Sequence, residues 1–217
     1  YYDEWGENNK YNNDMVEWNY TGPEESVDIL KKYLQNKDAI IFDAGCGTGL
    51  VGLELKKFGY KNFHGADLSQ KLLDTVPENL YKKLTKVDLN QAIDVKDNFY
   101  DAVICVGTFT FGHVKCNALE EFLRITKKDG LICFTINEGI YEEYGFDKKI
   151  ENLKKSNKWV EKEFFKSNSS ICEDNRISLS FKFCNISFFS KYEIKPLSPD
   201  IKLKKKYKTK NVEINKK

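Results

Sequence analysis

The sequence predicts an α/β protein built on a doubly wound, mainly parallel, seven-stranded sheet with an antiparallel hairpin at one edge. Three observations predict it. Short apolar runs rich in β-branched and aromatic residues alternate with helical patterns from residue 24 to about residue 136, which is the rhythm of βα units. Those runs are apolar on both faces, as strands of a parallel sheet covered by helices on both sides are. Two further segments with strand character follow the last βα unit, where an antiparallel edge pair belongs. Right-handed crossovers then place helices on both faces.

The elements follow in order. Residues 1–22 are rich in Tyr, Trp, Asn and Asp and show no helical or strand period. Pro23 opens a helix over 24–36, with Val27, Leu30, Tyr33 and Leu34 on one stripe. Ala39–Phe42 is strand one and ends at Asp43. Gly45, Gly47 and Gly49 alternate with small residues, and a helix follows through Leu50, Leu53, Leu55 and Phe58, closed by Gly59. Phe63–Asp67 is strand two, and Ser69 caps the helix after it. Leu84–Val87 is strand three and Tyr100–Val106 strand four. Asn117 with Glu120 resembles a capping box for a helix through Ile125, and Gly130 turns the chain into strand five, Leu131–Ile136. Residues 141–158 are charged and helical in pattern, residues 159–165 suit a strand, and Ile177, Leu179, Phe181 and Phe183 alternate with polar residues as in a half-exposed strand.

Length and composition set the bounds. The 217 residues, 41% hydrophobic, suffice for one domain with a full core, and no run reaches the ~18 apolar residues of a membrane span. The domain is expected over 1–200: an aromatic N-terminal lid over 1–22, a cofactor-binding core over 23–140, and acceptor-side elements over 141–200. Residues 201–217 hold eight lysines against one acidic residue, a charge of +7, so the preceding 200 carry −5 of the net +2. That basic tail reads as a solvated, disordered end, with a nucleic-acid or membrane patch as the alternative. The six cysteines form no C-x-x-C pair and read as reduced, small apolar residues of an intracellular, cytoplasmic protein, with the nucleus a second compartment. His64 and His113, the two histidines, share no ligand spacing with them, so no metal site is expected.

The chemistry concentrates at Asp43-Ala44-Gly45-Cys46-Gly47-Thr48-Gly49. Glycines serve where the backbone takes positive φ or lies against a ligand, and a loop that opens a helix presents free N–H groups. A dinucleotide fingerprint has G-x-G-x-x-G spacing, whereas this loop is G-x-G-x-G, preceded by a carboxylate that repels a pyrophosphate and attracts an ammonium or sulfonium. The motif is similar to the first motif of class I S-adenosylmethionine-dependent methyltransferases. A glycine turn without ligand and a nicotinamide-dependent reductase are the alternatives.

Further candidates follow from position. Asp67 lies 22 residues past Gly45 at the end of strand two, where a carboxylate can accept from both ribose hydroxyls. Asp88, ending strand three, can accept from an adenine amine. Leu68 and Leu89, the next residues after these acids, can sandwich the ring or simply pack in the core. Cys46 and Gly49 complete the loop, and Val106 ends strand four beneath the methyl group. His113 follows strand four and is a candidate base for the acceptor, or a helix cap; Asn137 and Glu138 after strand five are its alternatives. The aromatic residues of 1–22 either close over the ligand or pack over the sheet edge.

From Tyr2-Asp3-Glu4-Trp5, Tyr11-Asn12-Asn13-Asp14 and Tyr20-Thr21-Gly22-Pro23 through the glycine motif, Gly65-Ala66-Asp67-Leu68-Ser69 and Thr110-Phe111-Gly112-His113-Val114, the chain resembles the methyltransferase-like proteins of the Williams–Beuren syndrome region. The resemblance covers roughly residues 1–140 and implies a Rossmann-like methyltransferase fold. It implies S-adenosyl-L-methionine as cofactor, S-adenosyl-L-homocysteine as product, and cofactor contacts from Asp43, Gly45, Gly47, Asp67 and Asp88, with Trp5 and Tyr11 nearby. Residues 166–217 depart from the pattern. The expected activity is methyl transfer to a small molecule or a side chain of a protein acceptor, by a monomer without membrane attachment. A cofactor-binding but inactive partner subunit is one alternative. An RNA methyltransferase using the tail is another, against which the acidic core argues.

Overall fold

The computed structural model describes residues 10–17, 20–165, 170–171 and 181–190, with backbone alone at residues 10, 11, 165, 170, 171 and 181–190. The strands are β1 (Ile40–Ala44), β2 (Asn62–Asp67), β3 (Lys83–Lys86), β4 (Tyr100–Phe109), β5 (Thr126–Asn137), β6 (Val160–Phe165), β7 (Ser170–Ile171) and β8 (Phe181–Ser190). The helices are α1 (Lys10–Glu17), α2 (Gly22–Tyr33), α3 (Leu50–Lys57), α4 (Gln70–Asp74), α5 (Ala118–Ile125), α6 (Glu138–Tyr141) and α7 (Phe146–Lys155).

The sheet order is β3-β2-β1-β4-β5-β8-β6, with β7 paired to β8 off this path. β1 to β5 are mutually parallel, as the βα rhythm predicts. β8 runs antiparallel to β5 and to β6. Successive residues of β1 feed opposite faces, as the two-residue period requires. Ile41 packs with Val27, Leu30 and Leu55 in one core, and Phe42 with Phe122 and Phe134 in the other. Among the described residues, no helix is long and apolar enough to cross a membrane.

Several local expectations are corrected. The segment before residue 22 contains α1, an eight-residue helix whose Met15 is buried. Tyr33 does not share the buried stripe of α2: it is 40% exposed, and its hydroxyl donates to Glu163 Oε1 at 2.7 Å. Ser26 and Ile29 complete that buried face with Val27 and Leu30. The capping box at Asn117 does not form. Asn117 makes no side-chain cap bond, and Glu120 pairs with Lys149 at 3.1 Å. β5 begins before Gly130, because Thr126 already pairs with Tyr100, and the irregular stretch is absorbed by Asp129 at φ +61°. Ile177, Leu179 and residues 201–217 lie outside the described residues, whereas Phe181 and Phe183 fall in β8.

One side chain fixes the long connection between β3 and β4. Arg124 donates from Nη2 to Ile93 O at 2.8 Å, from Nη1 to Val95 O at 2.6 Å, and to Glu121 and Asp97. Glu121 Oε2 in turn accepts from Ile93 N at 2.9 Å. The guanidinium holds the Glu121 carboxyl below its ordinary range, so this contribution is present at neutral pH and is lost as pH falls through that lowered value. Arg124→Ala is expected to cost about 1–3 kcal/mol in urea unfolding, since two carbonyls lose charge-assisted donors. Arg124→Lys should recover little of it, because an ammonium cannot reproduce the fork. Full recovery by lysine would show that charge alone matters.

Candidate functional site

The carboxyl ends of β1, β2 and β4 converge on the glycine loop. Gly45 (φ +77°), Gly47 (φ +51°) and Gly49 (φ +93°) all lie in the left-handed region, which is why a side chain is absent at each. The loop is sewn to β2: Gly45 N and Cys46 N both donate to Ala66 O, at 2.7 and 2.9 Å. Gly47 N donates to Asp67 Oδ2 at 2.9 Å, and Ser69 N donates to Asp67 Oδ1 at 2.9 Å. Asp67 is therefore oriented by two backbone donors while remaining partly exposed. Burial raises its pKa, and these amide bonds oppose the rise. A Cβ on Gly47 would meet nothing within 4 Å, so open space lies above the loop.

Asp43 is 0% exposed. Its Oδ2 accepts from Tyr81 Oη at 2.6 Å, and Tyr81 Oη accepts from Gly52 N at 3.1 Å. Its Oδ1 is buried without a hydrogen-bond partner among the described residues. Burial pushes its pKa up to about 7; the tyrosine bond lowers it and the Asp67 charge raises it further. A carboxylate so placed is costly unless something cationic compensates it.

The other predicted residues are placed as follows. Cys46 is buried against Gly65, its thiol held protonated by burial and by the charges of Asp43 and Asp67. Leu68 is 61% exposed, whereas Leu89 and Val106 are buried, Leu89 within the core under α5. Asp88 is partly exposed, with Oδ1 accepting from Asn90 N at 2.9 Å. Asn90 also bonds His113 O (3.4 Å) and Lys115 N (2.9 Å), so the turns after β3 and β4 are tied together. The residue at the N-cap of α5 is Asn117, and burial lowers the imidazole pKa of His113, which keeps it neutral as a base must be. Asn137 is buried and accepts from Gly139 N at 2.9 Å, and Glu138 is exposed. Trp5 lies outside the described residues, and Tyr11 lies in α1 with its backbone alone described.

Three contributors were not among the predicted site residues, and a fourth, Tyr20, was expected only as one of the aromatic residues of 1–22. Tyr81 holds Asp43. Thr108 lies over the loop, with Oγ1 donating to Ala44 O at 3.3 Å. Asn12 of α1 accepts from Thr48 Oγ1 at 2.6 Å, which ties the N-terminal segment to the glycine loop. Tyr20 covers Gly107, where an added Cβ would stand 2.8 Å from its Oη. Asn12 and Tyr20 therefore lie at the carboxyl edge of the sheet between β1 and β4.

This donor set suits one class of ligand. Two carboxylates, one of them with an unbonded oxygen, and open space above the loop fit a nucleoside carrying positive charge; they oppose a pyrophosphate, which needs compensating cations. Residues 42–134 match the methyltransferase domain family, and S-adenosylmethionine is the cofactor that this similarity implies. The chain is 32% identical over 166 residues to human methyltransferase-like protein 27, covering 73% of this chain and 66% of that protein. It is 28% identical over 109 residues to ribosomal protein L11 methyltransferase of Thermotoga neapolitana, covering 49% of this chain and 40% of that enzyme. The chain thus spans less than two thirds of the length of these relatives. In fold it is similar to a chain of the complex between the Haloferax volcanii Trm112 methyltransferase activator and a methyltransferase: TM-score 0.60, 12% identity, 88% of this chain and 98% of that one.

Proposed function

We propose that the chain transfers a methyl group from S-adenosyl-L-methionine to an oxygen, nitrogen or sulfur nucleophile of a small molecule or a protein side chain. The observation that carries this reading is the pair Asp43 and Asp67 around the left-handed glycine loop, acidic and without a lysine, arginine or histidine bonded to either carboxylate among the described residues. When bound, the cofactor supplies an already activated methyl sulfonium. The protein's share is binding, alignment and exclusion of water. Asp67 accepts from the ribose, Asp88 from the adenine, and the N-terminal segment with Tyr20 covers the opening beside Gly107. His113, held neutral, takes the acceptor's proton.

The reading takes β6 and β8 as the antiparallel hairpin edge of a seven-stranded sheet. It takes residues 23–140 as the cofactor-binding core and 141–200 as the acceptor side, in a cytoplasmic monomer. A partner-dependent enzyme is the second reading, prompted by the Haloferax volcanii complex. Light scattering of the purified chain tests whether it is a monomer by itself.

Calorimetry with S-adenosylhomocysteine tests the core of the proposal. Binding should be measurable, and Asp67→Ala should weaken it by about 1–3 kcal/mol through lost charge-assisted hydrogen bonds. Binding of NADH with no binding of the homocysteine compound would overturn the reading.

A further inference from the structure

Tyr81 stands in the connection between α4 and β3, far in sequence from the glycine motif, yet three glycines surround its ring. A Cβ on Gly52 would stand 2.5 Å from Tyr81 Oη, one on Gly65 3.0 Å from its Cε1, and one on Gly49 3.4 Å from its Cε2. Gly52 lies within α3 and Gly65 within β2, positions where glycine is destabilising relative to alanine. The ring fills the space left at Gly52 and shares that at Gly65 with Leu84 Cδ2 (2.8 Å) and Cys46 Sγ (2.9 Å). Its hydroxyl ends between Gly52 N (3.1 Å) and Asp43 Oδ2 (2.6 Å). Asp43 Oδ1 is left buried and unbonded among the described residues.

We propose that Tyr81 is the positioning residue of the cofactor site: bridged to the helix α3 amide, it occupies one oxygen of the buried Asp43 carboxylate and leaves the other for the positive charge that the cofactor brings. The inference rests on the cofactor reading above. The ionisable groups acting on Asp43 come from every neighbouring element: Asp67 from β2, Cys46 from the glycine loop, Cys105 from β4, and Tyr81 itself. All four are neutral or negative, so the positive charge comes with the ligand. The empty site consequently favours a proton on Asp43, and cofactor binding displaces it. Affinity is full above the pKa of Asp43 and falls as pH drops through it. Loss of the tyrosine hydrogen bond, which favours the charged form, moves that fall to higher pH.

The test is the pH profile of the dissociation constants of S-adenosylmethionine and S-adenosylhomocysteine, measured on the full chain from pH 5.5 to 8.5 for the wild type, Tyr81→Phe and Asp43→Asn. Phenylalanine keeps the ring in its glycine cradle and removes only the hydroxyl. The wild type should weaken by up to about tenfold per pH unit below neutrality. In Tyr81→Phe the fall should begin about one pH unit higher, giving about a fivefold loss at pH 7 and little loss at pH 8.5. Asp43→Asn should bind weakly with little of this pH dependence. Proton release on binding to the wild type near pH 6.5, read by calorimetry in phosphate and Tris buffers, gives a second measurement that needs no variant. A Tyr81→Phe affinity reduced equally at every pH, or no proton release, overturns the positioning role while the cofactor reading stands. No binding by the wild type at any pH overturns both.

Discussion

Asp43→Asn is expected to abolish tight cofactor binding and, at the same time, to stabilise the unliganded protein above neutral pH. The two effects have one cause. The native carboxyl titrates near pH 7 and the unfolded one near 3.8, because burial without a cation disfavours the charge. The sign follows from linkage. With a raised native pKa, the contribution is complete below the unfolded value and is lost as pH rises to the folded one. Each pH unit between the two values corresponds to about 1.4 kcal/mol, so a few kcal/mol disappear between about pH 4 and pH 7. Asparagine cannot ionise and can still accept from Tyr81, but it leaves a buried amide donor that costs about 1–3 kcal/mol. The variant should therefore melt above the wild type at pH 8 and at or below it at pH 5. Equal destabilisation at both pH values would show that Asp43 is stored neutral or compensated, and the charge argument would fail.

A site that weakens its own fold is what a binding function predicts, and the sequence made part of it legible. The glycine loop, Asp43 and Asp67 stand out because their requirements are local: left-handed backbone at three positions and carboxylates at strand ends. Tyr81 is invisible to periodicity, since it sits in an irregular connection and acts across 38 residues on Asp43. The available signal was indirect. Gly52 inside a helix carries a cost with no local reason, and the reason is the Tyr81 ring; Gly65 inside a strand makes room for that ring together with Leu84 and Cys46. Helix α1 escaped for a different cause. Its Asn12 and Asn13 are poor helix formers, and tertiary contacts hold it in place: Met15 in the core and Asn12 on Thr48. The failed box at Asn117 shows the converse, a correct local signal overridden when Lys149 takes Glu120.

Gly45→Ala is expected to weaken cofactor binding by at least about a hundredfold, and the loss separates into two parts. The residue sits at φ +77°, where a side chain costs about 1–2 kcal/mol against the following carbonyl. The added Cβ would also stand 2.1 Å from Thr108 Oγ1, 2.8 Å from its Cγ2 and 3.0 Å from its Cβ. Threonine is short and β-branched, so it cannot swing a distant atom away as a lysine would. The loop must move instead, and with it the bonds of Gly45 and Cys46 to Ala66 and of Gly47 to Asp67. Asp67 then loses one of the donors that aim it, and burial without that donor raises its pKa further, which weakens any contact made by the ionised form. Thr108→Ala removes Oγ1 and Cγ2 but leaves the backbone at residue 45 unchanged. The double variant should recover most of the steric part, since only the Cβ at 3.0 Å remains, and retain the φ cost, so its affinity should lie between the single Gly45→Ala variant and the wild type. Thr108→Ala alone should change binding little, since its hydroxyl makes only bonds of 3.3 to 3.5 Å. Titration of all four proteins with S-adenosylhomocysteine measures both parts. A double variant no better than Gly45→Ala would assign the whole loss to backbone conformation and remove Thr108 from the account of the loop.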